Sequence, residues 1–300
     1  MKKLYILWKF SRPHTIIGST ISITTLYAMA CQHIAFLDHW PLLIMAIITG
    51  ITCNIFIVGI NQIEDVEIDK INKPYLPIAA GELSIKNAYR IIYTSAFISV
   101  LFATYISFYL TGIVMLSMLI GMAYSLPPLS LKKHHLPAAL AITIVRGFLV
   151  NIGGFYVFNT VVNQSTEIIE PVWLLTFFII AFSIAISWFK DMPDTEGDAK
   201  YKIKTLAILY SQKTALIAGT SLVGLAFGML IYYYAVNYFL SEHPSFSTKL
   251  LLYGNTLLLA LFIVNTAMIR LKKHSSIKQF YKRFWLFFFA EYALYLIAFI

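Results

Sequence analysis

The chain alternates long apolar runs with short polar segments, and this pattern predicts its elements. Nine runs are long enough to cross a bilayer, which takes about 20 apolar residues per helix. They cover residues 15–37, 41–62, 88–107, 109–126, 137–158, 171–189, 213–236, 248–269 and 283–300. Only a tight turn near Phe108 and Tyr109 separates the third run from the fourth. The pattern therefore predicts an all-α polytopic membrane protein with nine transmembrane helices in one domain.

Basic residues are concentrated on one side of these predicted spans. The chain has 23 Lys and Arg residues against 14 Asp and Glu residues. If the N-terminus is cytoplasmic, every basic residue except Lys249 and Arg146 falls in a cytoplasmic segment, and Arg146 lies inside the fifth span. This is the positive-inside pattern, so we expect a cytoplasmic N-terminus and an outer C-terminus. Loop bias accounts for the net charge of +9, and we expect no nucleic-acid partner.

The second span ends in the acidic stretch NQIEDVEIDK. Asn61, Asp65 and Asp69 recur every four residues, so a helix would place all three on one face. Glu64 and Glu67 fall on other faces, and we expect them to be solvated or paired with lysines. Ionisable residues at the end of an apolar span are functional candidates by default.

A second acidic stretch, KDMPDTEGD, follows the sixth span. Asp191, Asp194 and Asp198 are spaced at i, i+3 and i+7, close to one helical face. Pro193 and Gly197 make a regular helix less favourable there. By the predicted orientation, both acidic stretches lie at cytoplasmic helix ends.

Two carboxylate clusters on one side of a membrane have a common chemical interpretation. Carboxylates this close repel one another, and a divalent cation removes the repulsion. Mg²⁺ prefers oxygen ligands, commonly one or two carboxylates together with phosphate oxygens. Lysines near the clusters add charge-assisted donors for phosphate. The pattern predicts a metal–diphosphate site, whereas the simpler alternative is a set of solvated loop charges.

These motifs resemble those of the UbiA superfamily of intramembrane prenyltransferases. The resemblance rests on Asn61-x-x-x-Asp65-x-x-x-Asp69 and on the later KDMPDTEGD. The stretches SRPHTIIGST, NQIEDVEIDKINKPYLPIAAGELS, AYSLPPLSLKK, VRGFLVNIGG and FKDMPDTEGDAKYKIKTL are similar to the branch that prenylates homogentisate. The similarity runs from about residue 8 to residue 210 and is weaker afterwards.

The resemblance implies a fold and an activity. It implies nine helices around a central cavity, in a single prenyltransferase domain covering 1–300. It also implies Mg²⁺-dependent transfer of a phytyl or geranylgeranyl group from its diphosphate to the ring of homogentisate. The ring carboxyl side group would be lost, in tocopherol or prenylquinone synthesis. The partners would be a prenyl diphosphate, a homogentisate-like aromatic acceptor and membrane lipid, with the active site on the cytoplasmic face of a multi-pass membrane protein.

Role assignments for individual side chains follow from the two motifs and the charges beside them. The expected catalytic residues are four aspartates, Asp65, Asp69, Asp194 and Asp198. The expected Mg²⁺ ligands are Asp65, Asp69, Asp191, Asp194 and Asp198. The expected contacts to diphosphate or acceptor come from Asn61, Lys73, Arg146, Lys190 and Arg12. Many superfamily members carry a tyrosine four residues before the lysine of the second motif, but Ile186 stands there, so no tyrosine receives a role.

Two of these arginines have alternative explanations. Arg146 lies inside a predicted span, at a cost of at least ~2.5 kcal/mol at mid-depth. A structural explanation is a buried ion pair with Glu291 in the last span. A functional explanation is a contact with the diphosphate or with the acceptor's carboxylate. Arg12 lies in RPHT, which is equally suited to anchoring the chain at the membrane interface.

Other acceptors and another protein class are the alternatives. Within the superfamily the acceptor could be chlorophyllide, 4-hydroxybenzoate, dihydroxynaphthoate or haem, and NKPYLPIAAGELS favours homogentisate by resemblance only. A cation transporter would line an ion path with these acids, but it predicts acids at mid-membrane depth and inverted repeats. The acids here lie at one face, and a scaffold subunit would not need two such clusters.

Overall fold

A computed structural model of the chain describes residues 2–31 and 36–300, without the side chain of Lys2. These residues are almost entirely helical. Within the described ranges, the β-type pairing is limited to an isolated bridge between His134 and Lys204. The predicted all-α class is therefore confirmed for this part of the chain.

The helices follow the apolar runs. In chain order they are α1 (Lys2–Phe10), α2 (Pro13–Cys31), α3 (Trp40–Glu64), α4 (Val66–Asn72), α5 (Ile85–Ile106), α6 (Phe108–Ser125), α7 (His135–Thr143), α8 (Gly154–Asn163), α9 (Glu170–Asp191), α10 (Thr195–Lys200), α11 (Leu206–Leu209), α12 (Gln212–Leu240), α13 (Phe246–Ala267) and α14 (His274–Phe299). A short 3₁₀ turn, Leu131–Lys133, precedes α7, and a π-helical segment, Ile144–Gly153, joins α7 to α8.

All nine predicted spans coincide with helical segments, and seven of these are long and apolar enough to cross a membrane in the described part of the chain. The seven are α3, α5, α6, the continuous stretch from α7 to α8, α9, α12 and α13. α2 carries six Ser or Thr residues, and α14 begins nine residues before the predicted span with a polar, basic turn. The protein is an integral membrane protein, and the count of nine spans stays a prediction. The predicted span 15–37 also includes residues 32–35, which lie outside the described residues.

Local sequence sets the helix ends. Ser107 separates α5 from α6: its backbone is extended, with φ −168° and ψ 155°, and its Oγ accepts a hydrogen bond from the N–H of Leu110. Such an N-cap satisfies one of the free donors of a first helical turn. The predicted turn near Phe108 therefore lies one residue earlier than expected. α6 ends at Ser125, two residues before Pro127, as proline predicts.

The long helices pack as a closed ring. α3 lies against α2, α5 and α6, and the π-helical segment lies against α6 and α9. α12 packs between α9 and α13, and α14 packs between α13 and α2. The ring closes where the hydroxyl of Thr25 donates to the carbonyl of Tyr292 at 2.9 Å. At one end of this ring α4 contacts α10, so the two acidic stretches meet although about 120 residues separate them.

The π-helical segment gives the fifth span a local irregularity. Wide π turns are rare and often occur at functional sites. Asn151 is fully buried in this segment, and its Nδ2 donates to the carbonyls of Arg146 and Gly147 at 2.9 and 3.1 Å. Its Oδ1 accepts a hydrogen bond from the hydroxyl of Tyr292 at 2.8 Å. These contacts fix the backbone at Arg146 relative to α14.

Candidate active site

The first acidic stretch continues the axis of α3 after a small break. α3 ends at Glu64 and α4 begins at Val66, yet backbone hydrogen bonds still run from Asp65 to Asn61 and from Asp69 to Asp65. The side-chain amide of Asn61 donates to Oδ2 of Asp65 at 2.9 Å. The predicted shared face of these three residues is therefore confirmed.

The second acidic stretch is broken, as Pro193 predicts. Asp191 is the last residue of α9, and the N–H of Asp194 bonds back to its carbonyl at 3.2 Å. Asp198 then lies in the short helix α10, which includes Gly197. The expected interruption of the helix at Gly197 is therefore not found. All three aspartates are buried, with at most 8% of their surface exposed.

Asn72 and Lys73 join the two stretches. The Nζ of Lys73 lies 2.5 Å from Oδ2 of Asp194 and 3.9 Å from Oδ1 of Asp69. The amide of Asn72 donates to Oδ1 of Asp198 at 3.2 Å, and its Oδ1 accepts from the N–H of Gly197 at 3.1 Å. Residues from both stretches thus form one cluster of buried charge.

Two further lysines complete the cluster. Lys132, from the loop after α6, lies 2.6 Å from Oδ1 of Asp65. Lys190 lies 3.0 Å from Oδ1 of Asp191, and it donates to the hydroxyl of Tyr124 at 2.9 Å. Of these two lysines, only Lys190 was expected at the site from sequence, as a contact to diphosphate.

The sequence interpretation missed Lys132, Asn72 and Tyr124. Asn72 lies three residues after Asp69, so the helical spacing of the first motif would have included it. Tyr124 and Lys132 lie in the quoted stretch AYSLPPLSLKK, where spacing gives no sign of their contacts. Tyr124 brings a phenol to Lys190 from another helix, although Ile186 occupies the position where many superfamily members carry a tyrosine.

Burial shifts the proton affinities within the cluster. Burial raises the pKa of Asp69 to about 6, against the opposing effect of Lys73. Burial, with Asp191 and Asp194 nearby, raises the pKa of Asp198 to about 7. Burial on its own would lower the pKa of Lys73, but the carboxylates of Asp194 and Asp69 have the larger effect. The pKa of Lys73 is therefore raised, and the lysine stays charged.

The aspartates pair with lysines instead of converging on one point. Among the described residues, no three His, Cys, Asp or Glu side chains are grouped closely enough to hold a metal ion. The donor set still fits Mg²⁺, because it consists of buried carboxylate oxygens, with Asp191 and Asp194 close enough to Asp198 to affect its proton affinity. Carboxylate oxygens grouped in this way are the ligands that a hard divalent cation prefers.

Arg12 connects this cluster to the interior of the ring. It takes up a left-handed conformation, with φ 53°, in the short link between α1 and α2. Its Nη2 donates to Oδ1 of Asn61 at 3.0 Å, and its Nε is buried without a partner in the described structure. Asp69 and His14 both lie within electrostatic range of its guanidinium.

Arg146 lies apart from the aspartates, against aromatic rings. Its Cζ is 4.9 Å from the ring centre of Trp285 and 5.4 Å from that of Phe288. The ion pair with Glu291 that we considered is not found: Arg146 is absent from the ion pairs of the described residues, and both Glu291 oxygens are buried without a hydrogen bond. The structural explanation of Arg146 is therefore wrong in this form.

Known relatives match the chain over nearly its full length. It is 37% identical to "Homogentisate phytyltransferase" of Synechocystis sp., over 99% of this chain and 96% of that protein. It is 33% identical to "Homogentisate solanesyltransferase, chloroplastic" of Arabidopsis thaliana, over 96% of this chain and 75% of that protein.

The fold also matches solved structures. A UbiA homolog from Archaeoglobus fulgidus bound to GPP and Mg²⁺ superposes with a TM-score of 0.65 at 16% identity, over 96% of this chain and 99% of that one. The pattern of the UbiA prenyltransferase family matches residues 21–290. The chain belongs to the UbiA prenyltransferase family.

Proposed function

We propose that the protein transfers a prenyl group from its diphosphate to the aromatic ring of homogentisate, with loss of the ring carboxyl side group. The observation that carries this proposal is the meeting of the two acidic stretches through Asn72 and Lys73. The acceptor is supported by relatives at 33–37% identity that are named for transfer to homogentisate. The product would be a prenylated quinol of the kind that precedes tocopherol or a prenylquinone.

The diphosphate of the donor binds between the two acidic stretches. Asp65, Asp69, Asp191, Asp194 and Asp198 are the residues that would hold Mg²⁺, with Asn61 orienting Asp65. When bound, Mg²⁺ would supply positive charge for the diphosphate leaving group. Lys73, Lys132 and Lys190 already lie among these carboxylates. Their ammonium groups supply charge-assisted hydrogen bonds to diphosphate oxygens.

The chemistry requires charge to develop in a site shielded from water. The C–O bond between the prenyl chain and the diphosphate breaks, and its electron pair leaves with the diphosphate. A ring carbon of the acceptor supplies the pair for the new C–C bond and releases its proton. As the carboxyl leaves as CO₂, the carbon that carried it takes up a proton. Fixed cations near the leaving group stabilise this transition state more strongly than water does.

The placement of the site in the membrane extends the proposal. We infer nine spans in one domain covering residues 1–300, with a cytoplasmic N-terminus and the acidic cluster at the cytoplasmic face. This orientation is supported by the positive-inside distribution of basic residues. The prenyl tail would then extend into the apolar interior of the bilayer, where phytyl and geranylgeranyl chains differ only in apolar contacts.

An assay with purified protein tests the function. Protein in detergent or lipid is incubated with Mg²⁺, radiolabelled homogentisate and, in separate reactions, phytyl, geranylgeranyl and solanesyl diphosphate. We expect labelled prenylquinol with at least one donor, and competition between donors ranks the chains. Parallel reactions contain 4-hydroxybenzoate or dihydroxynaphthoate as acceptor. Product with one of these, and none with homogentisate, would overturn the proposed acceptor.

A further inference from the structure

Arg146 is a partly buried cation, and no counter-ion for it is found among the described residues. Its Nη1 atom is buried and has no hydrogen-bond partner within the part of the chain that the structure describes. Contacts with ring faces offset only part of the cost of burying a guanidinium in an apolar region, because a cation–π contact contributes about 2 kcal/mol when desolvated. A buried charge of this kind is stabilised when an anion binds beside it.

The surroundings of Arg146 fit an aromatic anion. Trp285 and Phe288 present rings to the guanidinium, and the ring of His14 meets that of Trp285 edge to face at 4.9 Å. The indole Nε1 of Trp285 is buried beside Tyr281 and makes no hydrogen bond of normal geometry in the described structure. Aromatic rings beside a guanidinium and an indole N–H suit a planar ring that carries an acidic group.

The local fold holds Arg146 in place. The π-helical segment carries it, and Asn151 ties that segment both to the Arg146 carbonyl and to Tyr292 of α14. Trp285 and Phe288 belong to the same helix as Tyr292. One buried hydrogen bond therefore links the segment that carries Arg146 to the helix that carries these rings.

This region adjoins the donor site without being part of it. The three lysines of the donor site contact aspartates directly, whereas the contacts described for Arg146 are with aromatic rings. Tyr281 lies within electrostatic range of both Lys190 and Arg146, and His14 lies within range of both Arg12 and Arg146. A ring bound beside Arg146 would thus lie next to the group that leaves the donor.

We propose that Arg146 binds the carboxylate of the aromatic acceptor, whose ring packs against Trp285 and His14. This inference rests on the proposed function, because it takes the acceptor to be an aromatic acid. It makes Arg146 the residue that selects acceptors with a carboxylate over the same ring without one. The diphosphate of the donor is the competing anion, and the experiment separates the two.

The experiment compares Arg146→Met with the wild-type protein in three measurements. These are the KM for homogentisate, the Ki of 2-methylhydroquinone, which is the same ring without the carboxylate, and the Ki of inorganic diphosphate. Loss of a hydrogen-bonded charge pair should raise the KM for homogentisate about 10- to 100-fold. The Ki values of 2-methylhydroquinone and of inorganic diphosphate should both stay within threefold of the wild-type values. The control is Arg90→Met, which removes an exposed arginine and should change none of the three.

Other outcomes overturn the inference. A Ki for diphosphate that rises tenfold while the KM for homogentisate is unchanged would assign Arg146 to the donor. Three values within twofold of wild type would remove Arg146 from substrate binding altogether. If Arg146→Met does not fold, Trp285→Phe keeps an aromatic ring at this position and removes the indole N–H. That variant should raise the KM for homogentisate about threefold to tenfold, and an unchanged KM would count against the pocket.

Failure of the proposed function gives a different pattern. If the wild-type protein prenylates 4-hydroxybenzoate and not homogentisate, the acceptor is wrong. The same three measurements with 4-hydroxybenzoate and phenol then test Arg146 independently. If no acceptor reacts, equilibrium dialysis of labelled homogentisate with both proteins still measures the carboxylate contact, and equal binding would overturn the inference.

Discussion

Two regions of this protein bury charge in opposite ways. In the acidic cluster, every lysine that enters finds a carboxylate: Lys73 pairs with Asp194 and Lys132 with Asp65. Around Arg146, the guanidinium meets aromatic rings, and the buried Glu291 makes no ion pair within the described residues. Charges that cancel within the chain can rearrange around a polyvalent ligand. A charge that does not cancel points to a ligand of opposite sign.

The largest expected effect comes from removing a carboxylate of the acidic cluster. Asp65→Asn takes the negative charge from the partner of both Asn61 and Lys132. We expect kcat/KM for the donor to fall about 10²- to 10³-fold, the range seen when one electrostatic contact to a transition state is lost. Glu67→Gln is the control, because Glu67 is exposed and pairs only with Lys70 in the described contacts. Full activity of Asp65→Asn would refute the metal–diphosphate assignment.

A smaller loss of activity is expected when a methyl group is added at Gly197, where the two acidic stretches meet. A Cβ at Gly197 would lie 2.3 Å from Oδ1 of Asn72. We expect Gly197→Ala to lower kcat/KM for the donor about 10- to 100-fold, because displacements near 1 Å in a site can have effects of that size. Gly224→Ala is the control, since its added Cβ meets nothing within 4 Å.

The double variant Asn72→Ala/Gly197→Ala sharpens that test. It removes the clash but also the hydrogen bonds of Asn72, so activity should recover only in part over Gly197→Ala alone. If the free-energy effects of the two single substitutions on kcat/KM add up to that of the double variant, Asn72 and Gly197 do not act together.

A moderate effect is expected from pH. With the pKa of Asp198 at about 7 and that of Asp69 at about 6, both carboxyls take up protons as the pH falls from 8 to 5. Mg²⁺-dependent donor binding should weaken about tenfold between pH 8 and pH 6, since ligand carboxylates must be ionised.

Stability without ligand should change in the opposite direction. The folded protein holds these protons to higher pH than the unfolded chain, whose carboxyl pKa is near 3.8. The contribution of both groups to stability is therefore full below about pH 4 and is lost as the pH rises towards 7. Thermal unfolding and donor binding are measured across this pH range. As the pH rises, we expect the melting temperature to fall and donor binding to strengthen. A melting temperature and a donor affinity that rise together would contradict the role of Asp69 and Asp198 as ligand carboxylates.

The smallest effect is expected at Glu291. Glu291→Gln replaces a carboxyl that has no ion pair in the described structure with a neutral side chain of the same shape. We expect less than a twofold change in activity, and a melting temperature that is unchanged or higher. A rise in the KM for homogentisate as large as that of Arg146→Met would show that the two residues act as a pair.

The sequence predicted the helices better than the contacts between them. Each of the nine runs predicted from hydropathy falls on a helical segment of the described residues, because a long apolar run must form its hydrogen bonds within one helix. Spacing placed Asn61, Asp65 and Asp69 on a common face, because a helix repeats every 3.6 residues. It did not identify Asn72 or Tyr124, whose partners lie about 125 and 66 positions away in sequence.

The sequence by itself determined the fold class, the two acidic motifs and the family, since these depend on local composition and short-range periodicity. Only the tertiary structure decided which charges meet. Closure of the helix ring brought Lys73 to Asp194 and left Arg146 against Trp285 instead of Glu291. Contacts of this kind depend on how whole helices pack, and packing is set by the combined surfaces of many residues.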